Sequence, residues 1–309
     1  MFHIIVNPVA GRGCALKRLS YLTKLFENKG VGYKVFETKA PMDGYEIAKR
    51  LCRENSSGII GVGGDGTIQE IAAGMMEACK GKPYIPVPLA ILPCGSGNDF
   101  AITIGRSKLG FMRKYHSIKD AGAAKTVFNA VTGGRKHRVD LIKADSMAFL
   151  NIGNMGLDAK IATNALQLKK RFGHYAYIAA VYKSITQHEN LPLTIKVDGE
   201  VLKGKYTLVA ICNGQYYGGG LKIAPKACVD DGKITACLVE SMSRSKAMLL
   251  FPTILLTLHT HLKEVRYLKC DSLTVTFEEG ETLCLDGNLY KKSGNVTFEV
   301  LPRALSIFV

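Results

Sequence analysis

Two short loops combine glycines, a hydroxyl group and a carboxylate, and they hold the residues best suited to chemistry. The first is Gly63–Thr67, with the sequence GGDGT, and the second is Gly95–Asp99, with the sequence GSGND. A glycine loop that opens a helix binds anions such as phosphates, because free backbone N–H groups and the positive end of the helix dipole face it. A bare carboxylate at Asp65 or Asp99 would repel a phosphate, and a bound divalent cation reconciles the two. The loops therefore predict phosphate binding together with Mg²⁺.

Two other interpretations of these loops follow from the residues alone. Gly61–Gly66 also matches the dinucleotide fingerprint G-x-G-x-x-G. It does not lie at the first strand-to-helix turn, and the next strand, about Val87 to Leu92, has no acid at its end to hold a ribose, which argues against a dinucleotide fold. In the second loop, Asn98 and Asp99 are alternatively no more than the cap of the helix that follows.

The segments around these loops predict how they are positioned. Apolar runs alternate with amphipathic segments of helical period. The predicted strands and helices are Phe2–Val6, Cys14–Lys29, Tyr33–Thr38, Gly44–Glu54, Ile59–Val62, Thr67–Lys80 and Val87–Leu92. This alternation predicts a parallel, doubly wound α/β sheet whose ligand lies at the carboxyl ends of the strands. The loops Asn7–Gly13, Gly63–Thr67 and Pro93–Asp99 should therefore converge on one edge.

The sequence pattern changes from helical to strand-like at Gly133-Gly134, which predicts a domain boundary between residues 1–132 and residues 133–309. Ser107–Val131 is basic and helical in pattern, and the part beyond it holds many short strand-like runs, typical of a β-sandwich. A helical insert is predicted over Leu157–Gln187, broken near Gly173. Arg244–Leu262 is predicted to be one apolar-faced helix, with its apolar stripe in the core and His259 and His261 in solvent or an interface.

Composition narrows the class of partner. The chain of 309 residues carries a net charge of +15, which favours an anionic partner such as a nucleotide or a phospholipid surface. Nucleic acid is not expected, because no arginine-rich arm, zinc spacing or RNA-binding aromatic motif is present. Nine scattered cysteines indicate a reducing compartment. Met1–Asn7 is too short and too soon interrupted for a signal peptide, and the apolar stretch Ala247–Leu258 is too short to span a bilayer, so a cytoplasmic location is expected.

Five motifs in order resemble the catalytic domain of the diacylglycerol kinase family, most closely its soluble bacterial lipid kinases. They are N-P-x-x-G at Asn7–Gly11, G-G-D-G-T at Gly63–Thr67, G-S-G-N-D-F at Gly95–Phe100, A-P-x-A-x-x-D-D-G at Ala224–Gly232 and L-D-G at Leu285–Gly287. The resemblance implies an α/β nucleotide-binding domain and a β-sandwich domain with the active site in the cleft between them. It also implies ATP and Mg²⁺ as cofactors and a lipid hydroxyl as acceptor. In the family the last strands can return to the first domain, which leaves the assignment of Val296–Val309 open.

The resemblance also implies roles for individual residues. Asp65 and Asp99 would organise the catalytic Mg²⁺, and Asp140 matches the family's acid just inside the second domain. Alternatively, Asp140 is an ordinary acid at a strand edge, paired with Arg138 or Lys143. The nucleotide-binding residues implied are Asn7, Gly11, Thr38, Gly63, Gly64, Gly66, Thr67, Glu70, Ser96 and Asn288.

A second metal site is implied in the fourth motif. Asp231 would give a side-chain oxygen to a structural Mg²⁺, while Cys228 and Lys233 would give backbone carbonyls. Mixed oxygen ligands of this kind suit such ions. The alternative is that Asp230-Asp231-Gly232 forms a polar turn before the next strand.

The catalytic base has two candidates, because the chain contains a literal Asp-Gly-Glu at Asp198–Glu200 and an Asp-Gly-Asn at Asp286–Asn288. In the family the catalytic Asp-Gly-Glu lies late in the chain, where Asp286 stands. Asp198-Gly199 separates two strand-like runs and is a good two-residue hairpin turn. Asp286 is therefore the predicted base. Asn288 replaces the family's glutamate, which predicts lower affinity or rate.

Three functions remain in view. The first is an ATP- and Mg²⁺-dependent kinase for diacylglycerol or a similar lipid, peripheral to an anionic membrane surface. Lys169, Lys170 and Arg171 would contribute to its docking. The second is a kinase of the same superfamily for a soluble small molecule, and the third is a nucleotide-binding protein without catalysis. A homodimer is left open.

Overall fold

The computed structural model describes residues 1–54, 56–106, 120–172, 176–278 and 280–309. Most of the predicted helical region Ser107–Val131 therefore lies outside the described residues, as do the side chains of Lys169, Lys170 and Arg171. The described part of that region begins with the helix Asp120–Gly133, here α5, as predicted.

The N-terminal region is a parallel sheet with helices between its strands. Its elements in chain order are β1 (Phe2–Val6), α1 (Cys14–Asn28), β2 (Tyr33–Glu37), α2 (Asp43–Leu51), β3 (Gly58–Gly63), α3 (Asp65–Ala78), β4 (Ile85–Pro93) and α4 (Asp99–Arg106). The strands lie in the order β2, β1, β3, β4. The chain crosses the sheet in one direction from β1 to β2 and in the other direction from β2 to β3. Right-handed crossovers therefore place α1 and α2 on opposite faces of the sheet. The loops after β1 and β3 lie side by side at this reversal, where such sheets bind ligands.

Burial explains why these strands are nearly continuous apolar runs. Residues of β3 and most of β1 are fully buried because helices cover both faces of the sheet. Ile4, Ile5, Ile59 and Ile60 lie in one core cluster with Phe26 of α1. The predicted α/β fold class of this region is confirmed.

The C-terminal region is dominated by antiparallel strands arranged as a β-sandwich, again as predicted. Its strands are β5 (Lys136–Ala144), β6 (Met147–Phe149), β7 (Ile152–Gly156), β8 (Leu191–Val197), β9 (Glu200–Cys212), β10 (Tyr216–Tyr217), β11 (Leu221–Lys222), β12 (Ile234–Glu240), β13 (Val265–Cys270), β14 (Ser272–Phe277), β15 (Glu281–Leu285), β16 (Asn288–Lys292) and β17 (Asn295–Phe308). Two helices, α6 (Leu157–Phe172) and α7 (Ala176–Thr186), occupy the predicted insert. Leu150 and Asn151 form a bend between β6 and β7.

The last strand, β17, belongs to both regions. Its first half pairs with β14 in antiparallel fashion, with Phe298 opposite Leu273. Its second half lies parallel to β4, with Leu305 opposite Ile85, and pairs along its length with β5. The C-terminus therefore completes the N-terminal sheet.

The prediction of one long helix over Arg244–Leu262 is wrong. The segment forms a short helix, α8 (Arg244–Leu250), followed by the 3₁₀ turns Phe251–Ile254 and Leu258–His261. Pro252 cannot donate to the helical ladder, and Thr257 has a φ of 62°, which an α-helix does not accept. Within the described ranges, no helix is long and apolar enough to cross a membrane.

His259 also differs from prediction, because its side chain is buried rather than exposed. Its Nε2 lies 3.1 Å from the carbonyl oxygen of Ile223 and 3.1 Å from the hydroxyl of Tyr267. These bonds fix the end of the segment to the body of the sandwich.

Candidate active site

The three predicted loops converge at the carboxyl edge of the N-terminal sheet. Asn7 Nδ2 donates to Thr67 Oγ1 at 3.1 Å, which joins the loop after β1 to the loop after β3. Gly64 and Gly95 pack backbone against backbone, so a Cβ added to Gly95 would lie 2.6 Å from the Cα of Gly64. Glycine is required here because any side chain would separate the two phosphate-type loops.

Gly11 makes the third contact between these loops. Its φ is 60°, and a Cβ there would lie 2.3 Å from the carbonyl oxygen of Cys94. Only glycine meets both conditions without strain. The sequence motif N-P-x-x-G thus encodes a close approach of the first loop to the third.

Asp65 and Asp99 face the same point above Gly97. A Cβ on Gly97 would lie 2.8 Å from Asp99 Oδ2 and 3.2 Å from Asp65 Oδ2, so the two oxygens are within about 6 Å of each other, the sum of those distances. Asp65 Oδ1 accepts from the N–H of Phe100 at 3.3 Å. Asp99 Oδ1 accepts from the N–H groups of Gly219 and Gly220 at 2.8 and 3.0 Å. Asp99 thus contacts the second region as well as opening α4.

Asp286 lies at the turn between β15 and β16, on the sandwich side of the cleft. Its carboxylate accepts from three consecutive backbone N–H groups, those of Leu150 at 2.7 Å, Asn151 at 3.1 Å and Ile152 at 2.8 Å. The bend between β6 and β7 turns these N–H groups toward one point. The side chain is only 8% exposed, so it is both held and largely removed from water.

The three carboxylates repel one another in a weakly hydrated cleft. Burial first, and then the charge of Asp65, raises the pKa of Asp99 to about 7. Burial likewise raises the pKa of Asp286 to about 7, against the lowering effect of its backbone N–H donors and with a further contribution from Asp65. Burial also raises the pKa of Asp65. A carboxyl group with a pKa near neutrality is suited to take up a proton during a reaction.

These residues fit a Mg²⁺ ion that is shared with a phosphate. Carboxylate oxygens are its usual protein ligands, and in kinase sites one or two carboxylates act together with phosphate and water oxygens. Within the described residues, no group of three His, Cys, Asp or Glu side chains is placed to hold an ion by itself. In the same residues, Asp65, Asp99 and Asp286 form no ion pair with a Lys, Arg or His. A cation bound here would compensate the charge of these three acids.

Gln69 is a residue that sequence reasoning missed. It is fully buried on α3, and its Nε2 donates to the carbonyl oxygen of Ala148 at 2.7 Å. Its Oε1 accepts from Asn288 Nδ2 at 2.7 Å and from the hydroxyl of Tyr290 at 3.1 Å. Asn288 also donates to the carbonyl oxygen of Gly66 at 3.0 Å. The predicted nucleotide ligand Asn288 is thus part of a polar link that fastens the Asp286 hairpin to the helix carrying Asp65.

Two buried asparagines, also missed, support the turn that holds Asp286. Asn151 Oδ1 accepts from Thr103 Oγ1 at 2.9 Å, which ties the turn to α4. Asn213 Nδ2 donates to the carbonyl oxygens of Asp140 and Leu150 at 2.9 and 2.7 Å. An isolated asparagine between two strand-like runs gives no sequence signal, because its partners are distant in the chain.

The remaining predicted nucleotide residues have mixed placements. Thr38 donates its N–H to the carbonyl oxygen of Val6 and so lies beside the Asn7 loop, while Ser96 is exposed at the tip of its loop. Glu70 instead accepts from the N–H groups of Met42 and Gly44 at 3.1 and 3.2 Å. Both of its oxygens serve the start of α2, because four N–H groups at a helix start need partners.

Asp140 is placed outside the group formed by Asp65, Asp99 and Asp286. The carboxylate is completely buried and accepts from the N–H groups of Arg303 at 2.6 Å and Gly232 at 2.7 Å. It therefore braces β17 against the Asp230-Asp231-Gly232 turn, and its role as a catalytic acid stays a prediction. The alternative prediction paired Asp140 with Arg138 or Lys143. In the described part of the chain, Asp140 forms no ion pair with either of these residues.

The implied second metal site is a compact turn. Asp231 Oδ1 accepts from the N–H of Lys233 at 3.0 Å, and Asp231 Oδ2 pairs with Lys269 Nζ at 2.7 Å. The Cys228 thiol is exposed and bonds to Asp230 rather than to Asp231. A cation would have to compete with Lys269 for the carboxylate.

Comparison with known families accounts for almost the whole chain. Residues 1–144 match the diacylglycerol kinase catalytic domain, and residues 152–309 match the YegS C-terminal NAD kinase beta sandwich-like domain. A diacylglycerol kinase of Staphylococcus saprophyticus is 27% identical over 92% of this chain and 87% of its own length. A diacylglycerol kinase of Mycobacterium tuberculosis is 26% identical over 91% of this chain and 88% of its own.

Solved structures share the complete fold. A protein from Bacillus anthracis str. Sterne superposes with a TM-score of 0.78 at 24% identity, covering 99% of this chain and 94% of that one. A diacylglycerol kinase from the same organism gives a TM-score of 0.68 at 22% identity, covering 99% and 96%. Two domain matches in the expected order, relatives matched over most of their length and a shared fold lead to one conclusion: the chain belongs to the diacylglycerol kinase catalytic-domain family.

Proposed function

We propose that the protein is an ATP- and Mg²⁺-dependent kinase that phosphorylates the hydroxyl group of diacylglycerol or a similar lipid. The observation that carries this proposal is the group of three carboxylates in the cleft. Asp65 and Asp99 extend from the glycine loops of the nucleotide side, and Asp286 extends from the sandwich side. Phosphoryl transfer needs such a constellation, with charge compensation near the phosphates and a carboxylate at the acceptor.

The roles of the chain's own residues follow from their positions. The N–H groups of Gly63–Thr67 and Gly95–Asp99 bind the phosphates of ATP, and the close glycine packing keeps the two loops in register. Asp286 accepts the proton of the acceptor hydroxyl while the hydroxyl oxygen forms a bond to the γ-phosphorus of ATP. The bond from that phosphorus to the bridging oxygen breaks, and ADP leaves with the electron pair. The pKa of about 7 at Asp286 suits this proton transfer near neutral pH.

Asp65 and Asp99 would hold the Mg²⁺ ion, which when bound neutralises charge on the phosphates. Without it, both acids would repel the nucleotide they are placed to receive. The bonds from Gly219 and Gly220 keep Asp99 facing the cleft from the sandwich side. Both walls of the cleft therefore contribute to positioning one acid.

The choice of a lipid acceptor is supported by the relatives named diacylglycerol kinase. The test is transfer of labelled phosphate from ATP to a panel that contains dispersed diacylglycerol, extracted membrane lipids and the soluble acceptor NAD. We expect product in the lipid arms only, dependence on Mg²⁺ and at least a hundredfold loss in Asp65→Asn. Transfer to NAD alone would replace the lipid with a soluble acceptor, and ATP binding without any transfer would contradict a kinase.

A further inference from the structure

Four leucines of one segment face solvent. In residues 244–262, here called the leucine segment, Leu249 is 76% exposed, Leu255 66%, Leu256 73% and Leu258 51%. Single exposed apolar residues are ordinary, but four within ten residues form a patch that calls for a partner. Part of the stripe predicted to be core therefore lies outside it.

The inner side of the leucine segment already has its own packing. Ala247, Met248, Phe251 and Ile254 join the core cluster formed by β7, β9, β12 and the neighbouring helices. His259 is bonded to Ile223 and Tyr267, as described above. The exposed leucines are thus not misplaced core residues, because the segment is anchored without them.

The charge of this region favours an anionic bilayer. Residues 241–263 include Arg244, Lys246 and Lys263 and contain no Asp or Glu. Arg244 and Lys263 are exposed, while Lys246 pairs with Glu264. Exposed leucines that lie beside exposed cations are typical of a segment that lies in the membrane interface. The whole chain adds a net charge of +15.

The leucine segment is also connected to the catalytic cleft. The hairpin β10–β11 donates the N–H groups of Gly219 and Gly220 to Asp99, and Ile223 just after it accepts at its carbonyl oxygen from Tyr267 and contacts His259. Ile223 is the third residue after Gly220, a span of at most about 11 Å. The base of the segment therefore lies close to the wall of the cleft.

We propose that the leucine segment docks the protein onto an anionic phospholipid bilayer, with its four leucines inserted at the boundary between headgroups and acyl chains. Arg244 and Lys263 contact the lipid headgroups. This inference rests on the proposed function for its purpose, since docking brings the cleft to a lipid acceptor. Bilayer binding itself requires neither ATP nor turnover, so it is tested separately.

The experiment is sedimentation of the full chain with vesicles made of equal parts phosphatidylglycerol and phosphatidylcholine. The variant is Leu255→Ser combined with Leu256→Ser, and the control is Val201→Ser, a 54% exposed apolar residue on β9. We expect the double variant to bind at least about tenfold more weakly, because two apolar insertions are lost, and the control to bind as the wild type. Equal melting temperatures in solution verify that all three proteins are folded.

Further arms separate the outcomes. Lys263→Glu should weaken binding, and vesicles of phosphatidylcholine alone should bind poorly. Activity on a short-chain acceptor dissolved in water should be unchanged in the double variant. Wild type that binds vesicles without transferring phosphate leaves the docking inference standing and removes the proposed function. Binding by the double variant equal to wild type, or light scattering that shows a dimer dissociated by these substitutions, would overturn docking on a bilayer.

Discussion

The hairpin turns Asp198-Gly199 and Asp286-Gly287 have nearly the same backbone conformation. Asp198 and Gly199 have φ values of 48° and 82°, and Asp286 and Gly287 have values of 46° and 93°. Each pair is the two-residue loop of an antiparallel hairpin, between β8 and β9 and between β15 and β16. The prediction that Asp198-Gly199 forms a hairpin turn is confirmed, and the same geometry holds at Asp286-Gly287. Turn geometry therefore does not distinguish them.

The surroundings of the two turns differ completely. Asp198 is exposed at the outer end of the sandwich, whereas Asp286 is buried against three N–H groups and the charge of Asp65. The third residue differs in the same way, because Glu200 pairs on the surface with Arg266 and Asn288 bonds to Gln69. A short motif carries chemistry only where the fold supplies partners for it.

The largest expected contrast is in catalysis. Asp286→Asn should lower kcat for phosphate transfer about a thousandfold, because the acceptor proton loses its base. Asp198→Asn should stay within about twofold of wild type. Both are measured with labelled ATP under the same acceptor conditions. Equal losses, or full activity of Asp286→Asn, would remove the assignment of the base.

The second contrast is in stability against pH. The pKa of Asp99 is about 7 in the folded protein and near 3.8 when unfolded, so ionisation costs folding free energy progressively between those values and fully above pH 7. Asp99→Asn removes this cost. Its advantage over wild type should grow from pH 4 to 7 and level off at about 4 kcal/mol, as measured by urea unfolding without divalent ions.

Added Mg²⁺ should reduce this advantage, because the ion supplies the missing counter-charge to the wild type alone. Asp198→Asn, on the exposed turn, serves as the matched control and should change little across the same pH range. If the gain in unfolding free energy of Asp99→Asn over wild type is the same at every pH, the charge of Asp99 is not the origin of that gain.

A smaller contrast lies in the residue after each turn. Asn288→Ala leaves Gln69 without one of its buried partners, so we expect a loss of about 1–2 kcal/mol in unfolding free energy and a fall in kcat. Glu200→Ala breaks only an exposed ion pair and should cost at most a few tenths of a kcal/mol. Thermal unfolding and initial rates measure both, and equal effects would argue against the polar link.

The smallest contrast is at the glycines themselves. Gly199→Ala and Gly287→Ala both force alanine into a left-handed conformation, with open space around each Cβ. Each should cost about 1 kcal/mol of stability, and the two costs should agree. Phosphate transfer should fall only in Gly287→Ala. A marked difference in stability would show that one turn is strained by its surroundings.

Much of the nucleotide side was predictable from sequence because its geometry is local. Strand, glycine loop and helix follow one another in the chain, so the convergence of the loops at Asn7, Gly63 and Gly95 follows from parallel strands alone. Asp286 was selected by the order of motifs and not by its turn. Its three N–H donors come from a bend more than 130 residues earlier, which no local pattern reveals.

The features that could not be predicted share one physical cause: partners distant in the chain decide what each residue contacts. Glu70 and Asp140 accept from backbone N–H groups that are distant in the chain, and Gln69 acts through residues that follow it by more than 200 positions. Apolar residues of the leucine segment fit a helical stripe, yet Pro252 and Thr257 break the helix and turn several outward.

The double membership of β17 has a consequence for synthesis. β4 obtains one of its neighbours from Leu305 and Ile307, which follow it by more than 200 positions in the chain. The edge of β4 therefore stays open on the ribosome while the whole sandwich is translated. The N-terminal region, although made before the sandwich, completes its sheet only after β17 has been made, so the two regions mature together rather than one after the other.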